Sequence, residues 1–323
     1  MDHELEPTPS ERGFLRRLLR MRPSAALRRE AAVVAFASGK GGTGKSFLTT
    51  NVAIGLHRRG LRVAVVDCDF GLANAHLLFG VSPKRTMQHL LDGQHMATEV
   101  LTPTDFGPSL IAGGSGLTSL AELDNRHMQM LASAFDQLAK RFDVLLLDCA
   151  AGLSPQSMIT VLAAQHVVLV TNPEIAALTD AYAVIKCVSR QPERPEVHLA
   201  VNRVGDDSIG RASYERMSDV SRRFANLPIH YLGAVPEDAS VSHRRLGQAP
   251  VLAQARGAQA RGAEEQRDAE QRDAEQRDGE QGCETSDALQ ALADKVEACV
   301  QGARARASQR GVEARMLAQI RRW

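Results

Sequence analysis

Residues Ala31 to Arg59 read AAVVAFASGKGGTGKSFLTTNVAIGLHRR, an apolar run, a glycine-rich loop and a helical segment in direct succession. The apolar run Ala31 to Ala37 has the length of a buried strand, and Lys45 to Arg59 follows with the composition of a helix. Between them Gly39-Lys40-Gly41-Gly42-Thr43-Gly44-Lys45-Ser46 satisfies GxxxxGK[ST], with a strand before it and a helix after it. The glycines allow a tight loop whose N–H groups point inward at phosphate oxygens. Lys45 neutralises the outer phosphates, and the Ser46 hydroxyl can ligate Mg²⁺.

Working outward, short apolar runs alternate with helical segments, as a parallel sheet covered on both faces requires. The expected strands are 31–37, 62–67, 109–112, 143–148, 166–171, 197–202 and 229–235. Helices are expected at 45–59, 125–141, 155–164, 175–189 and 209–225. This is an α/β fold, a doubly wound and mostly parallel sheet of the P-loop NTPase type, with a low-complexity linker and C-terminal helices after it.

Two further strands end in acids. The first runs into Asp67-Cys68-Asp69, and the carboxyl ends of adjacent parallel strands line one crevice, so Asp67 and Asp69 can reach the phosphates and their metal. A carboxylate there suits the orienting of an attacking water, although each acid also suits a turn or a cap. The second, Leu145-Leu146-Leu147-Asp148-Cys149-Ala150-Ala151-Gly152, has the form of a Walker B strand. Asp148 would hold Mg²⁺ through water, and Gly152 frees the following loop. Cys68 and Cys149 read as small buried strand-end residues.

Lys40 stands early in KGGTGKS, and in this the loop resembles the deviant Walker A motif of the MinD/ParA family of ATPases. DCDFGLAN (67–74), LLLDCAAG (145–152) and TNPE (171–174) extend the resemblance. IAGGSGLTSLAEL (111–123), TDAYAVIK (179–186), VNRV (201–204) and LGAVPED (232–238) look most like the flagellar-number ATPases of the FlhG or FleN type. The resemblance implies an ATP- and Mg²⁺-dependent ATPase that dimerises on ATP. Lys40 would reach across the dimer to the partner's phosphates, Asp69 would orient the attacking water, and Asp148 would serve Mg²⁺ together with Ser46 and Asp67. Asn202 and Arg203 would form the adenine-side loop, with Pro236 to Asp238 as a second one. Implied partners are a second copy of the chain and a flagellar GTPase of the FlhF kind or a flagellar transcription regulator. Two departures stand out. Cys149-Ala150-Ala151-Gly152 replaces the usual SPAG or TGAG, and the N-terminal segment lacks the DQA of a GTPase-activating helix. Division-site and DNA-partition ATPases share the loop, and a non-hydrolysing nucleotide-binding scaffold is the reading from another class. Lys40, Lys45, Asp69 and Asp148 together argue against the scaffold.

The whole chain bounds these readings. It has 323 residues, 44% hydrophobic and 24% charged, enough to bury a core. Its 39 Lys plus Arg against 38 Asp plus Glu give a net charge of +1, so charge does not point to nucleic acid as a partner. Five cysteines form no CxxC pair, no apolar run reaches membrane-spanning length, and the arginine-rich N-terminal stretch shows no apolar h-region before a cleavage site; a cytoplasmic location, with peripheral contact at the inner membrane, is expected.

Four parts are expected. Residues 1–30 are a basic segment whose stretch from Ser10 to Arg29 carries seven Arg and one Glu, an amphipathic helix packed on its own domain or against a partner or membrane. Residues 31–252 are the ATPase domain. Residues 253–285 contain no Val, Ile, Leu, Met, Phe, Tyr or Trp and repeat EQRD, so they read as a linker, disordered or a single solvated helix. Residues 286–323 are helices whose end places Val312, Met316, Leu317, Ile320 and Trp323 in one arc with Arg315, Arg321 and Arg322 outside it. That end is expected to lie on the anionic inner-membrane surface, or else to dock on its own domain.

Overall fold

The computed structural model describes residues 30–114, 124–242, 248–254, 269–305 and 311–322. The basic segment 10–29, most of IAGGSGLTSLAEL, the linker up to 268 and Trp323 lie outside the described residues. The strands are β1 Ala32–Ala37, β2 Val63–Cys68, β3 Thr102–Pro103, β4 Ser109–Ile111, β5 Val144–Cys149, β6 His166–Thr171, β7 Glu196–Val204 and β8 Ile229–Pro236. The helices are α1 Lys45–Arg58, α2 Ala75–Leu78, α3 Met87–Leu91, α4 Asn125–Ala139, α5 Pro155–Ala163, α6 Ile175–Ser189, α7 Asp207–Val220, α8 Ala239–Ser242, α9 Val251–Gln254, α10 Ala269–Ala305 and α11 Val312–Ile320. A π-helical turn, Ser221–Ala225, follows α7.

The strands lie in the order β3-β4-β2-β5-β1-β6-β7-β8, parallel except for β3. Strands β1, β2, β5 and β6 are buried along their whole length, which is why they read as unbroken apolar runs. The antiparallel β3 was not expected. Two residues carry no readable alternation, and Pro103 confines it to an edge.

One sheet face packs against α1, α9 and α10, where Leu289, Leu292, Val296 and Val300 join Val52 and Leu56. The helix expected from residue 286 begins at Ala269, so the second and third EQRD units, Glu270 to Gly279, are helical. Arg59, at the end of α1, pairs with Asp294 and, at 3.1 Å, with Glu297, which fixes α10 along α1. The other face carries α4, α5 and α6.

The C-terminal arc takes the second of its two expected placements, docked on its own domain. Val312, Met316 and Ile320 are buried in the core that α4 and α5 share, and Arg315 Nε donates to Ala163 O at 2.7 Å. Burial pushes the Arg315 guanidinium down to about 10. The face assigned to lipid is occupied by the protein's own domain, and Arg315 caps the end of α5 instead of meeting headgroups.

Candidate functional site

Register brings the acids together before any side chain is considered. Asp67 pairs with Asp148 across β2 and β5, and Phe36 pairs with Asp148 across β1 and β5, so the loop leaving β1 emerges beside both carboxylates. Gly44 closes that loop at φ 90°, and a Cβ there would lie 2.1 Å from Asn202 Nδ2. Only glycine fits, because Asn202 Nδ2 donates to Thr43 O at 2.8 Å and holds the loop against β7. A Cβ on Gly39 would lie 2.2 Å from the Asp180 backbone of α6, so the other end of the loop is equally close-packed.

Lys45 is buried and forms an ion pair with Asp148; its ammonium also lies 3.4 Å from Ser46 Oγ. Burial presses the ammonium down, but the Asp148 carboxylate outweighs it and holds the pKa above the ordinary lysine value. Asp67 accepts N–H bonds from Asp69 and Ala75, both at 3.1 Å. Its own burial, followed by the charge of Asp148, pushes its carboxyl well up despite those bonds. Asp148 Oδ2, Thr43 Oγ1 and Ser38 Oγ are buried without a hydrogen-bond partner. Two carboxylates side by side, one with an uncommitted buried oxygen, and two buried hydroxyls without partners suit a divalent cation and the phosphates it would neutralise. Gly41 and Gly42 are exposed at the loop's outer turn, and Ser46 is half-buried at the start of α1.

Lys40 lies outside this group, its ammonium 2.8 Å from Glu174 Oε2. Asp69 is half-buried at the end of β2, where its Oδ1 accepts from Leu72 N at 3.0 Å. The cysteines beside the acids are buried, their thiols donating to Val66 O and Leu147 O. Burial raises both, Cys149 to about 12, which leaves them inert thiols.

Beyond Gly44 a cavity of about 320 Å³ opens, lined in part by Asn202, Arg203, Pro236 and Asp238. Arg203 is the extra residue of a β-bulge between β7 and β8, with φ 58°, and the bulge turns it out of the sheet onto the cavity. Asp238 accepts from Ser240 N at 2.8 Å, Ser240 Oγ at 2.6 Å and Thr285 Oγ1 at 2.8 Å. Burial favours its neutral form, but these donors prevail and its carboxyl falls below the ordinary value. Asp238 thus fixes the loop after β8 to α10. Sequence reasoning missed Thr285, assigned to the linker, and the apolar lining by Phe47, Leu77 and Leu78. Phe47 directly follows the loop serine, and that adjacency was the available signal.

The CobQ/CobB/MinD/ParA nucleotide binding domain profile matches residues 34–251. The chain belongs to this family. Antiactivator FleN of Pseudomonas aeruginosa is 34% identical over 209 residues, 65% of this chain and 75% of that protein. The flagellum site-determining protein YlxH of Helicobacter pylori is 35% identical over 226 residues, 68% of this chain and 74% of that protein. Among solved structures, the septum site-determining protein MinD of Pyrococcus horikoshii, complexed with Mg-ADP, aligns with a TM-score of 0.63 and 25% identity. The alignment covers 85% of this chain and 99% of that one. The doubly wound P-loop NTPase fold expected from the sequence is therefore the fold of this chain, and its family is the one that the early Lys40 and its companion motifs resemble. No helix among the described residues is long and apolar enough to cross a membrane.

Proposed function

We propose that this chain is a switch ATPase that binds ATP with Mg²⁺, dimerises in that state, hydrolyses the nucleotide and thereby controls the number or placement of flagella. The observation that carries the chemistry is the Lys45–Asp148 pair beside Asp67, buried at the carboxyl ends of adjacent strands directly under the P-loop. The loop's N–H groups and Lys45 would hold the outer phosphates. Ser46, Asp67 and Asp148 would hold Mg²⁺, which when bound neutralises charge developing on the phosphates. Asp69, at the end of β2, would orient the attacking water. Arg203 and Pro236 would flank the base in the cavity, with Asn202 holding the loop that closes it.

FleN and YlxH support the flagellar assignment. The partners we infer are a second copy of the chain and a flagellar GTPase or transcription regulator, and the place of action is the cytoplasm. Contact with the inner membrane would require α11 to leave α4 and α5.

Light scattering with ATP·Mg²⁺ against ADP, together with flagellar counts and cell lengths in a deletion strain, tests the proposal. A dimer with ATP alone and altered flagellar number are expected. Unchanged flagella with misplaced septa would favour a division-site role, and no dimer with either nucleotide would overturn the switch.

A further inference from the structure

The end of the sheet away from the P-loop carries a second cluster of chemically capable side chains. His166 opens β6, and register pairs it with Glu196, while Val168 pairs with His198. Residues i and i+2 of a strand share a face, so Glu196 and His198 stand with His166 on one side of the sheet. That side is covered by α10, since Val168 and Ala200 share their core with Leu292, Val296 and Val300. Cys299 lies three residues after Val296 and adjoins the same stripe.

His166 Nδ1 lies 3.1 Å from His198 Nε2, and Cys299 Sγ lies 3.7 Å from that same nitrogen. The ligand atoms of the three residues are all within 4.8 Å of one another. Glu196 Oε2 is 3.6 Å from His166 Nδ1 and 4.0 Å from His198 Nε2. With Zn–N near 2.0 Å and Zn–S near 2.3 Å, tetrahedral geometry requires edges of about 3.3 Å between nitrogens and about 3.5 Å between nitrogen and sulfur. The His166–His198 and His198–Cys299 separations are close to these values, while Cys299 Sγ, also 3.9 Å from His198 Nδ1, and the Glu196 carboxylate would each have to swing toward the ion to complete the set. His166 and His198 are 2% and 7% exposed, so the nitrogens are already withdrawn from water on fixed strands.

We propose that His166 Nδ1, His198 Nε2, Cys299 Sγ and Glu196 Oε2 form a binding site for a divalent transition-metal ion of the zinc class. Two imidazoles, a thiolate and a carboxylate are a borderline donor set, which selects zinc over magnesium or calcium. With four protein ligands no position is open to a substrate, so the site is structural. The ion joins α10 to strands β6 and β7, ligands 32 and 101 residues apart along the chain. It does so on the helix whose Thr285 holds Asp238 at the nucleotide cavity. Binding the thiolate displaces the Cys299 proton to solvent, and no electron is transferred.

The test uses untagged full-length protein, stripped with chelator and titrated with Zn²⁺ alone or Co²⁺ alone. One ion per chain is expected, with tetrahedral cobalt bands and a sulfur-to-cobalt charge-transfer band. Cys299→Ser should remove the charge-transfer band, and His198→Gln should weaken Zn²⁺ binding by about 100-fold or more. Cys283→Ser should change neither. The spectrum of the parent protein decides whether a thiolate is present even if a variant misfolds. Absence of stoichiometric binding by the parent, a cobalt spectrum without the thiolate band, or unweakened binding by both site variants would overturn the assignment.

Discussion

The Lys40 ammonium is held by the Glu174 carboxylate at 2.8 Å, on the rim of the P-loop and separate from the Lys45–Asp148 pair within it. Lys40 and Glu174 side chains are 32% and 62% exposed, and the Lys40 hydrogen bond and charge draw Glu174 below its ordinary range. Exposed pairs of this kind are weak and yield to a stronger anion. The two lysines of the loop are therefore set apart by burial: one is fixed to the buried Asp148, the other is exchangeable at the surface.

This division predicts separable effects. Lys40→Ala should abolish ATP-dependent dimerisation while changing the nucleotide Kd by less than about fivefold, since an exposed group contributes little to binding within one chain. Glu174→Gln should release Lys40 and lower the ATP concentration needed for the dimer. Light scattering and nucleotide titration of both variants check this. A dimer formed by Lys40→Ala as readily as by the parent would show that Lys40 does not act across the interface.

Asp69 lies half-buried where β2 ends, with one oxygen committed to Leu72 N, whereas the deeply buried Asp67 is tied to two N–H groups. Its relative access to water makes Asp69 the water-orienting candidate. Asp69→Ala should slow single-turnover hydrolysis by about 100-fold or more, with ATP binding and the dimer retained. Turnover at the parental rate would shift the role to Asp67.

Much of this architecture was legible because its cause is local. Ala31 to Ala37 and Leu145 to Asp148 had to be buried strands, and the glycine-rich run between β1 and α1 had to form a tight loop. Register then carries Asp67 to Asp148 without further information. What was not legible depends on distant partners. Met316 and Ile320 form an arc that suits lipid and core equally, and only the presence of α4 and α5 decides between them. Thr285 reads as linker until α10 brings it to Asp238, and Cys299 joins two histidines that lie on different strands.

The burial of Met316 is itself testable. Truncating a fully buried methionine costs about 2–5 kcal/mol, so Met316→Ala should lower Tm by about 5–15 °C in a domain of this size. Sedimentation with anionic vesicles should be unchanged by the substitution. A variant of parental stability that no longer pellets with vesicles would return the α11 face to the membrane.

Asp143 provides the acid-side test of how α10 is held. Its carboxylate accepts from Arg62 Nε and Nη2, both at 2.9 Å, and pairs with Arg304 of α10 at 3.0 Å. Burial alone would raise this carboxyl, but the bonds to Arg62 and the two guanidinium charges outweigh it, so its folded pKa lies below the ordinary value. A depressed carboxyl stabilises the fold above its unfolded pKa of about 3.9 and ceases to do so as pH falls through the lower, folded value. Asp143→Asn should therefore cost about 1 kcal/mol at neutral pH, the Arg62 side being partly exposed and screened. The difference between parent and variant should shrink as the solution is taken below about pH 4 and vanish once Asp143 is protonated in the folded chain. Urea midpoints of both proteins across that range measure it. A gap that stays constant or widens on acidification would mean that the carboxylate's charge does not hold α10 to the start of β2.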